Sequence, residues 1–190
     1  MSNTGREKFR KNKIVINFIA IFFSIFGKGI NKKLLNIFRN LNGKIGILLR
    51  YVLLKNISKK IGDNVSIQPG CFLFHTENLE IGDNVSIHPM CYIDAEGGIL
   101  IKDNVSIAHS STLIAANHSW SDESLPIKYN KLILSPIIIE EDVWIGCGVR
   151  ILAGVKISNR SIVAAGAVVN KSFDERSLIG GVPAKLLKTI

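Results

Sequence analysis

Four histidines occur in this chain of 190 residues, and one of them stands at a break in the sequence pattern. His118 follows Asn117 at the start of residues 117–138, a polar stretch that separates two regions of regular spacing. A hydroxyl is a poor nucleophile unless a base removes its proton, and imidazole does this near neutral pH, contributing on the order of 10²–10⁴ in rate. His118 is therefore a candidate general base; a merely solvated loop histidine is the alternative.

The other histidines and two carboxylates are weaker candidates. His75, His88 and His109 fall at corner or outward positions of a six-residue repeat, where an exposed polar side chain is expected. Asp94 and Glu96 could orient the candidate base or accept hydrogen bonds from a bound substrate. Their spacing alone does not decide between these two roles.

The histidines and cysteines do not indicate a metal site. A catalytic zinc ion needs three converging protein ligands, yet His109 and His118 are nine residues apart and no two histidines are closer. An odd number of cysteines, three, favours a reducing compartment. Cys71 and Cys91 occupy the same place in successive repeats, which predicts two buried, unreactive thiols.

A repeat of twenty residues organises the middle of the chain. The heptapeptide Ile-x-Asp-Asn-Val-Ser-Ile occurs at residues 61–67, 81–87 and 101–107, and an aliphatic residue returns every six positions. A small or β-branched residue follows each aliphatic one after four positions, and a fixed period of this kind indicates stacked units. Two inward columns with Gly, Asp and Asn at the corners predict a prism of short parallel strands.

Charge divides the chain into an arm and a body. Residues 1–60 hold 14 Lys and Arg against the single acid Glu7, a balance of +13, whereas residues 61–190 hold 10 bases and 14 acids, a balance of −4. We predict a basic amphipathic helical arm over 1–60, a β-helix over 61–172 with an extruded loop at 117–138, and a tail segment over 173–190. The polar loop cannot enter the coil and must lie across a surface.

Three interpretations of the arm are open. Its apolar faces pack on one another or cap the end of the solenoid; or they form a basic interfacial patch on an anionic leaflet. Nucleic-acid binding is disfavoured because no recognition motif accompanies the charge. The apolar run 14–26 has 13 residues, short of the roughly 20 that span a bilayer, and no small-x-small cleavage site follows it.

The hexads, the segment 142–155 with its Trp-Ile-Gly block, and the Gly-Gly-Val-Pro-Ala-Lys ending at 180–185 narrow the prediction. Together they resemble the hexapeptide-repeat acyltransferases, in particular the galactoside, maltose and polysaccharide O-acetyltransferase branch. The resemblance implies a mainly β protein: a left-handed parallel β-helix with three hexads per coil, an N-terminal α-helical segment and one extruded loop. It also implies a homotrimer in which that loop reaches a neighbouring subunit.

The resemblance further implies a site for acetyl-CoA and no requirement for a metal. His118 matches the catalytic histidine of the family, and the flanking Asn117 is the second catalytic residue that the resemblance implies. A main-chain N–H near Cys147 matches the family's oxyanion donor. Cys147 replaces the small hydroxyl residue or glycine common there, and we interpret it as a wall of the slot because these enzymes transfer the acyl group directly. The implied positions are, for the pantetheine slot, Trp144, Gly146, Cys147, Ala165 and Gly166; for the phosphates, Lys171 and Lys185; and for the acceptor, His88, Asp94 and Glu96.

We therefore expect an acetyl-CoA-dependent O-acetyltransferase of a sugar hydroxyl in a cell-surface polysaccharide (capsule, O-antigen or exopolysaccharide) or its precursor. Alternatives with the same fold are an N-acetyltransferase of a nucleotide amino-sugar and an antibiotic O-acetyltransferase. A non-catalytic scaffold and a trimeric zinc lyase are remote alternatives. The expected location is cytoplasmic, with peripheral contact to the inner face of the membrane through residues 1–60.

Overall fold

A left-handed parallel β-helix forms the body of the protein in a computed structural model that describes residues 5–190. Successive strands turn from one sheet to the next, so each coil contributes one strand to each of three faces over residues 60–169. Sheet A contains β1 (Lys60–Ile61), β4 (Leu79–Ile81), β7 (Ile99–Ile101), β12 (Ile137–Ile139) and β15 (Lys156–Ile157). Sheet B contains β2 (Ser66–Ile67), β5 (Ser86–Ile87), β8 (Ser106–Ile107), β13 (Trp144–Ile145), β16 (Ile162–Val163), β18 (Ser177–Gly180) and β19 (Lys185–Thr189). Sheet C contains β3 (Phe72–Phe74), β6 (Tyr92–Asp94), β9 (Thr112–Ile114), β14 (Arg150–Ile151) and β17 (Val168–Val169).

The two predicted columns fill the interior. The aliphatic residues Ile87, Ile107 and Ile145 stack in sheet B without solvent exposure. In the second column, the Cys71 and Cys91 thiols donate to carbonyl oxygens of the next coil. The contact with Cys71 and burial raise the pKa of the Cys91 thiol. Both cysteines are buried, so the predicted burial is confirmed, while their lack of reactivity stays a prediction.

The twenty-residue repeat has its physical origin at one corner. Asn64, Asn84 and Asn104 adopt left-handed backbone conformations with φ between 53° and 59°, which asparagine tolerates better than most residues. Their amides form a ladder, from Asn64 to Asn84 at 3.0 Å and from Asn84 to Asn104 at 3.3 Å. Carboxylates of the repeat accept backbone N–H groups from the preceding coil, as from Asp63 to Asp83 at 2.7 Å.

The arm forms α1 (Gly5–Ser24), α2 (Gly27–Ile37) and α3 (Gly43–Ile57), with a 3₁₀ helix at Phe38–Asn40. α3 covers the open end of the first coil: Leu53 and Leu54 are fully buried, and the Tyr51 hydroxyl donates to the Gly62 carbonyl at 3.0 Å. Burial raises the pKa of Tyr51. Capping, one of the interpretations of the arm, is therefore confirmed for α3.

A membrane-spanning helix is not found in residues 5–190. No helix there combines the length and the apolar character that a bilayer crossing needs. α1 and the segment Gly27–Asn40 satisfy the requirement only when taken together, and they meet at a bend of 115°.

The extruded loop leaves the prism after the third coil. β10 (Ala116–His118) pairs antiparallel with β11 (Leu132–Leu134), and a 3₁₀ helix at Ile127–Tyr129 lies between them. The predicted range 117–138 differs slightly at both ends, because Ala116 is already in β10 and Ile137 already in β12. Gly97 makes room at the base of the loop, since a Cβ there would lie 2.1 Å from the Ala115 carbonyl oxygen.

The two remaining boundaries also differ from the predicted ranges. Lys60, assigned to the arm, pairs with Glu80 in sheet A. The predicted tail begins with an isolated bridge from Phe173 to Ile157, and β18 then adds a further strand to sheet B beside β16. β19 turns back antiparallel onto β18, so that the last parallel strand of this sheet does not end in an open edge.

Candidate active site

His118 is the last residue of β10 and lies exposed at the base of the loop. Its backbone pairs with Leu132, and the preceding Asn117, also exposed, pairs with Ile133. Beyond it, the Ser119 N–H donates to the Lys131 carbonyl at 2.9 Å, which extends the two-stranded stalk. The candidate base is therefore carried on ordered backbone, and within residues 5–190 no side chain hydrogen-bonds its ring.

Asp94, one of the two carboxylates predicted near the base, has other partners. Asp94 Oδ1 lies 2.7 Å from His75 Nδ1 and also accepts the Glu96 N–H at 3.3 Å. His75 was expected to be an ordinary exposed residue, and its pairing was missed. The period of twenty carried the signal, because Phe74 and Asp94 are in register and His75 is the next residue after Phe74.

An aromatic surface covers the outer side of sheet C next to this pair. The Phe74 and Tyr92 rings are 5.2 Å apart between centroids, and both are exposed. Phe72 extends the surface towards the helices, where the Arg39 guanidinium lies 4.0 Å from its ring centroid. Exposed aromatic faces beside a carboxylate suit a sugar ring, which presents apolar C–H faces and a rim of hydroxyls.

His88 is not brought to this surface. It lies exposed at the corner where the chain enters sheet C, whereas Asp94 ends the strand that follows. The structure therefore places His88 across one face of the prism from Asp94 and Glu96. Their assignment to one acceptor site stays a prediction.

The predicted donor residues lie at the corner between sheets B and C, in the fourth and fifth coils. Trp144 projects outward from β13, and Cys147 is partly exposed two residues after that strand. Gly146 is required here because a Cβ would lie 2.6 Å from the Ala165 nitrogen. Gly166, which follows Ala165, has a φ of 72°, so this corner brings two coils together through glycine backbone.

Unused amides distinguish this corner from the same corner in earlier coils. The position compared is the second residue after each strand of sheet B. In the first two coils it is Pro69 and Pro89, which have no N–H, and in the next three it is His109, Cys147 and Ala165. Within residues 5–190, no protein group accepts a hydrogen bond from these three amides. The Cys147 carbonyl, in contrast, accepts the Gly166 N–H at 2.8 Å. A row of free N–H donors therefore follows the coil axis beside Trp144.

The two predicted phosphate-binding lysines lie towards the C-terminal end of the β-helix. Lys171 is exposed after β17, with its ammonium 5.6 Å from the Phe173 ring centroid. Lys185 is exposed at the start of β19, where it pairs with Gly180. Lys185 thus lies near the end of the row of free amides, whereas Lys171 lies across sheet C from that row. The contact of both lysines with phosphates stays a prediction.

The candidate base and the candidate donor corner are on opposite sides of sheet C. His118 follows the end of β9, whereas Cys147 precedes β14, the neighbouring strand. One side of the prism, roughly 15 Å of extended chain, separates them. A single chain therefore does not bring its own histidine to its own row of amides.

Within residues 5–190, no group of three or more His, Cys, Asp and Glu side chains is arranged to hold a metal ion. The groups that the candidate site presents are an imidazole, backbone amides, lysines and aromatic faces.

Comparison with known proteins shows which families and structures this chain is similar to. The model of the bacterial transferase hexapeptide family (six repeats) matches residues 136–171. A 2,3,4,5-tetrahydropyridine-2,6-dicarboxylate N-acetyltransferase of Staphylococcus aureus (strain JH9) is 46% identical over 54 residues, 28% of this chain and 23% of that protein. The match thus spans less than a quarter of the curated relatives' length.

Two solved structures match much more of the chain. A galactoside acetyltransferase in complex with coenzyme A superposes with a TM-score of 0.77 at 29% identity, covering 86% of this chain and 80% of that one. A hexapeptide-repeat-containing acetyltransferase of Vibrio cholerae O1 biovar eltor, in complex with acetyl coenzyme A, superposes with a TM-score of 0.75 at 30% identity, covering 85% and 86%.

Proposed function

This chain belongs to the hexapeptide-repeat acyltransferase family, and on that premise we propose that it is an acetyl-CoA-dependent O-acetyltransferase of a sugar hydroxyl. The observation that carries the proposal is the row of free amides at His109, Cys147 and Ala165, next to Trp144. Pantetheine carries amides that pair with such donors, and a thioester oxygen needs one when it gains negative charge. The two similar structures are complexes with coenzyme A or acetyl coenzyme A, which supports acetyl-CoA as the co-substrate.

The residues perform a direct transfer. His118 accepts the proton of the sugar hydroxyl as its oxygen bonds to the thioester carbon, and the Cys147 N–H donates to the oxygen that becomes negative. When the carbon–sulfur bond breaks, the imidazolium returns the proton to the departing thiolate. No acyl group passes through Cys147. Trp144, Gly146, Ala165 and Gly166 line the slot, and Lys171 and Lys185 bind the phosphates.

The acceptor is a sugar of a cell-surface polysaccharide or of its precursor. Exposed Phe74 and Tyr92 beside the Asp94–His75 pair support a carbohydrate, and the galactoside acetyltransferase is a relative with a sugar substrate in its name. The match to an N-acetyltransferase favours a second candidate, transfer to the amine of an amino-sugar. Three free cysteines and the use of acetyl-CoA support a cytoplasmic location.

We propose that the active site lies between subunits of a homotrimer, because His118 and Cys147 of the same chain lie on opposite sides of sheet C. The loop supports this assembly: Trp120, Ile127, Tyr129 and the three residues of β11 are all exposed. Such a surface on an extended loop suits contact with the neighbouring copy in a closed ring. The histidine of one subunit then faces the amide row of the next.

The test is thiol release from acetyl-CoA with sugars, nucleotide sugars, amino-sugars and oligosaccharides as acceptors. We expect turnover with a hydroxyl acceptor, and His118→Ala should lower it by at least about 100-fold while CoA affinity, measured by calorimetry, stays nearly constant. Glu123→Ala, in the same loop, is the control and should retain turnover. Near-normal transfer by His118→Ala, or no CoA binding by the wild type, would refute the proposal; transfer to amines alone would select the second candidate.

A further inference from the structure

Helix α1 has apolar residues on two opposite faces, and the fold uses only one of them. Phe9, Ile16, Ile19 and Phe23 face inward and are partly buried, and the Phe9 ring meets the Tyr51 ring edge-on at 5.5 Å. Ile14 and Phe18 on the other face are 85% and 72% exposed, and Ile25, just after the helix, is 76% exposed. A helix that is apolar all round normally has both sides covered.

The exposed residues form one continuous surface, here called the outer stripe: Ile14, Phe18, Ile21, Phe22, Ile25, Phe26 and Ile30. It runs along α1 and over the 115° corner into α2. The Phe22 and Phe26 rings touch at the corner, with centroids 5.4 Å apart. A single exposed leucine needs no explanation, but a contiguous stripe of large side chains on one corner indicates a binding surface.

Cations surround the outer stripe. Lys28, Lys32 and Lys33 follow the corner on α2 and are exposed, and Lys11 precedes the stripe on α1. Only Lys32 of the α2 lysines is in an ion pair within residues 5–190, with Glu77. A second copy would bring another arm with a balance of +13 against the first, so like charges oppose self-association through this stripe.

We propose that the outer stripe docks the protein onto an anionic lipid bilayer. The phenylalanine and isoleucine side chains enter the boundary between headgroups and acyl chains, and the lysines of α1 and α2 contact lipid phosphates. The bend at the corner fits this mode, since it presents the apolar apex to the surface without requiring a helix to cross. Apolar burial and charge act together, as stable peripheral binding requires.

Docking in this way also orients the site, an inference that rests on the proposed function. Arg39, just after α2, contacts Phe72, so the aromatic surface of the first two coils adjoins the arm. The row of amides reaches its last member in the fifth coil, roughly 20 Å further along the axis at the usual strand spacing. The acceptor side therefore faces the membrane and the donor side faces away, which suits a sugar carried on a membrane lipid.

The test is sedimentation of the full chain with phosphatidylcholine vesicles that contain phosphatidylglycerol. Phe18→Gln with Ile25→Gln should lower the fraction bound by at least about tenfold, and added salt should weaken binding of the wild type. The control is Met90→Gln with Leu187→Gln, which removes two apolar side chains of 60% and 59% exposure from the body. It should sediment like the wild type.

The outcomes separate docking from catalysis. The stripe variant should keep wild-type thiol release with a soluble acceptor, so lost binding with retained turnover supports the proposal even if the acceptor assignment fails. Equal sedimentation of the stripe variant and the wild type, or binding that ignores lipid charge, would overturn it. So would a lower oligomeric mass of the stripe variant by light scattering without vesicles, because a second copy would then cover the stripe.

Discussion

At the scale of single residues, one backbone position decides what the corner between sheets B and C can do. The N–H of this position makes no hydrogen bond between coils. Proline, which has no N–H, occupies it in the first two coils, and those coils still stack. In the third to fifth coils the same position carries a free amide. The β-helix therefore supplies hydrogen-bond donors at a place where its own stability does not depend on them.

A proline at Cys147 tests this directly. Cys147→Pro should leave the melting temperature close to that of the wild type, as at Pro69 and Pro89, but lower kcat by about 10²–10³-fold because the oxyanion loses its donor. Cys147→Ala keeps the amide and should keep most of the activity. Melting curves and thiol-release kinetics check both variants, and inactivity of Cys147→Ala would indicate a covalent role for the thiol instead.

At the scale of elements, side-chain ladders hold successive coils in register. The asparagine ladder spans the first three coils, and Arg6 of α1 donates to Asn84 and Asn104 at 3.0 and 3.1 Å, which ties the arm to the body. After the loop, Asp142 takes the same left-handed corner and pairs with Arg160 at 2.9 Å. The loop interrupts the chain between the third and fourth coils but not their hydrogen-bonded stacking.

Glu140 strengthens the stacking of coils where the loop is inserted. Its ion pairs predict that the free energy of unfolding depends on pH. From the fourth coil it pairs with Lys102 of the third coil and, at 3.3 Å, with Lys156 of the fifth coil. The hydrogen bond from Lys102 lowers the pKa of Glu140 in the folded state. The stabilisation is therefore present above the unfolded pKa and is lost as pH falls through the folded value.

Glu140→Gln should reduce the free energy of unfolding by up to about 1 kcal/mol at pH 7, because the pairs are near the surface. The difference from the wild type should shrink as the pH falls below about 4.5. Denaturant unfolding of both proteins at several pH values measures this. A difference that stays constant down to pH 3 would mean that the ionised carboxylate is not its source.

At the scale of the whole molecule, we propose that the site is divided between chains. The histidine of each chain is at one end of sheet C and the amide row at the other, so a ring of subunits is the arrangement that joins them. In this proposal the extruded loop, which has exposed apolar residues from Trp120 to Leu134, reaches the neighbouring subunit. Assembly and catalysis are thus one requirement.

Mixed oligomers test the division. His118→Ala keeps the amide row, and Ala165→Trp fills the slot but keeps the histidine, so each variant alone should be inactive. Purified mixed trimers should recover about a third of the wild-type activity, since one of the three interfaces in each joins an intact histidine to an intact slot. Activity is measured by thiol release on co-expressed, doubly tagged protein. No recovery in proven mixed oligomers would show that both groups act within one chain.

The sequence by itself determined the solenoid, its hexad columns and the position of the loop. These features are local and periodic. Ile87 and Ile107 stack because they occupy the same place in successive repeats, and asparagine recurs at the position of Asn84 because that corner needs a left-handed backbone conformation. Resemblance then assigned roles to His118 and to the segment around Trp144. These roles stay predictions.

Only the tertiary structure decided which groups meet. The pairing of His75 with Asp94, the unused amide of Cys147 and the separation of that amide from His118 depend on how coils stack, which sequence spacing did not resolve. The sequence also did not determine the exposure of Phe18 and Ile25, because the apolar pattern of a helix is the same whether one or both of its faces are covered. Packing against α3 covered the inner face and left the outer stripe exposed.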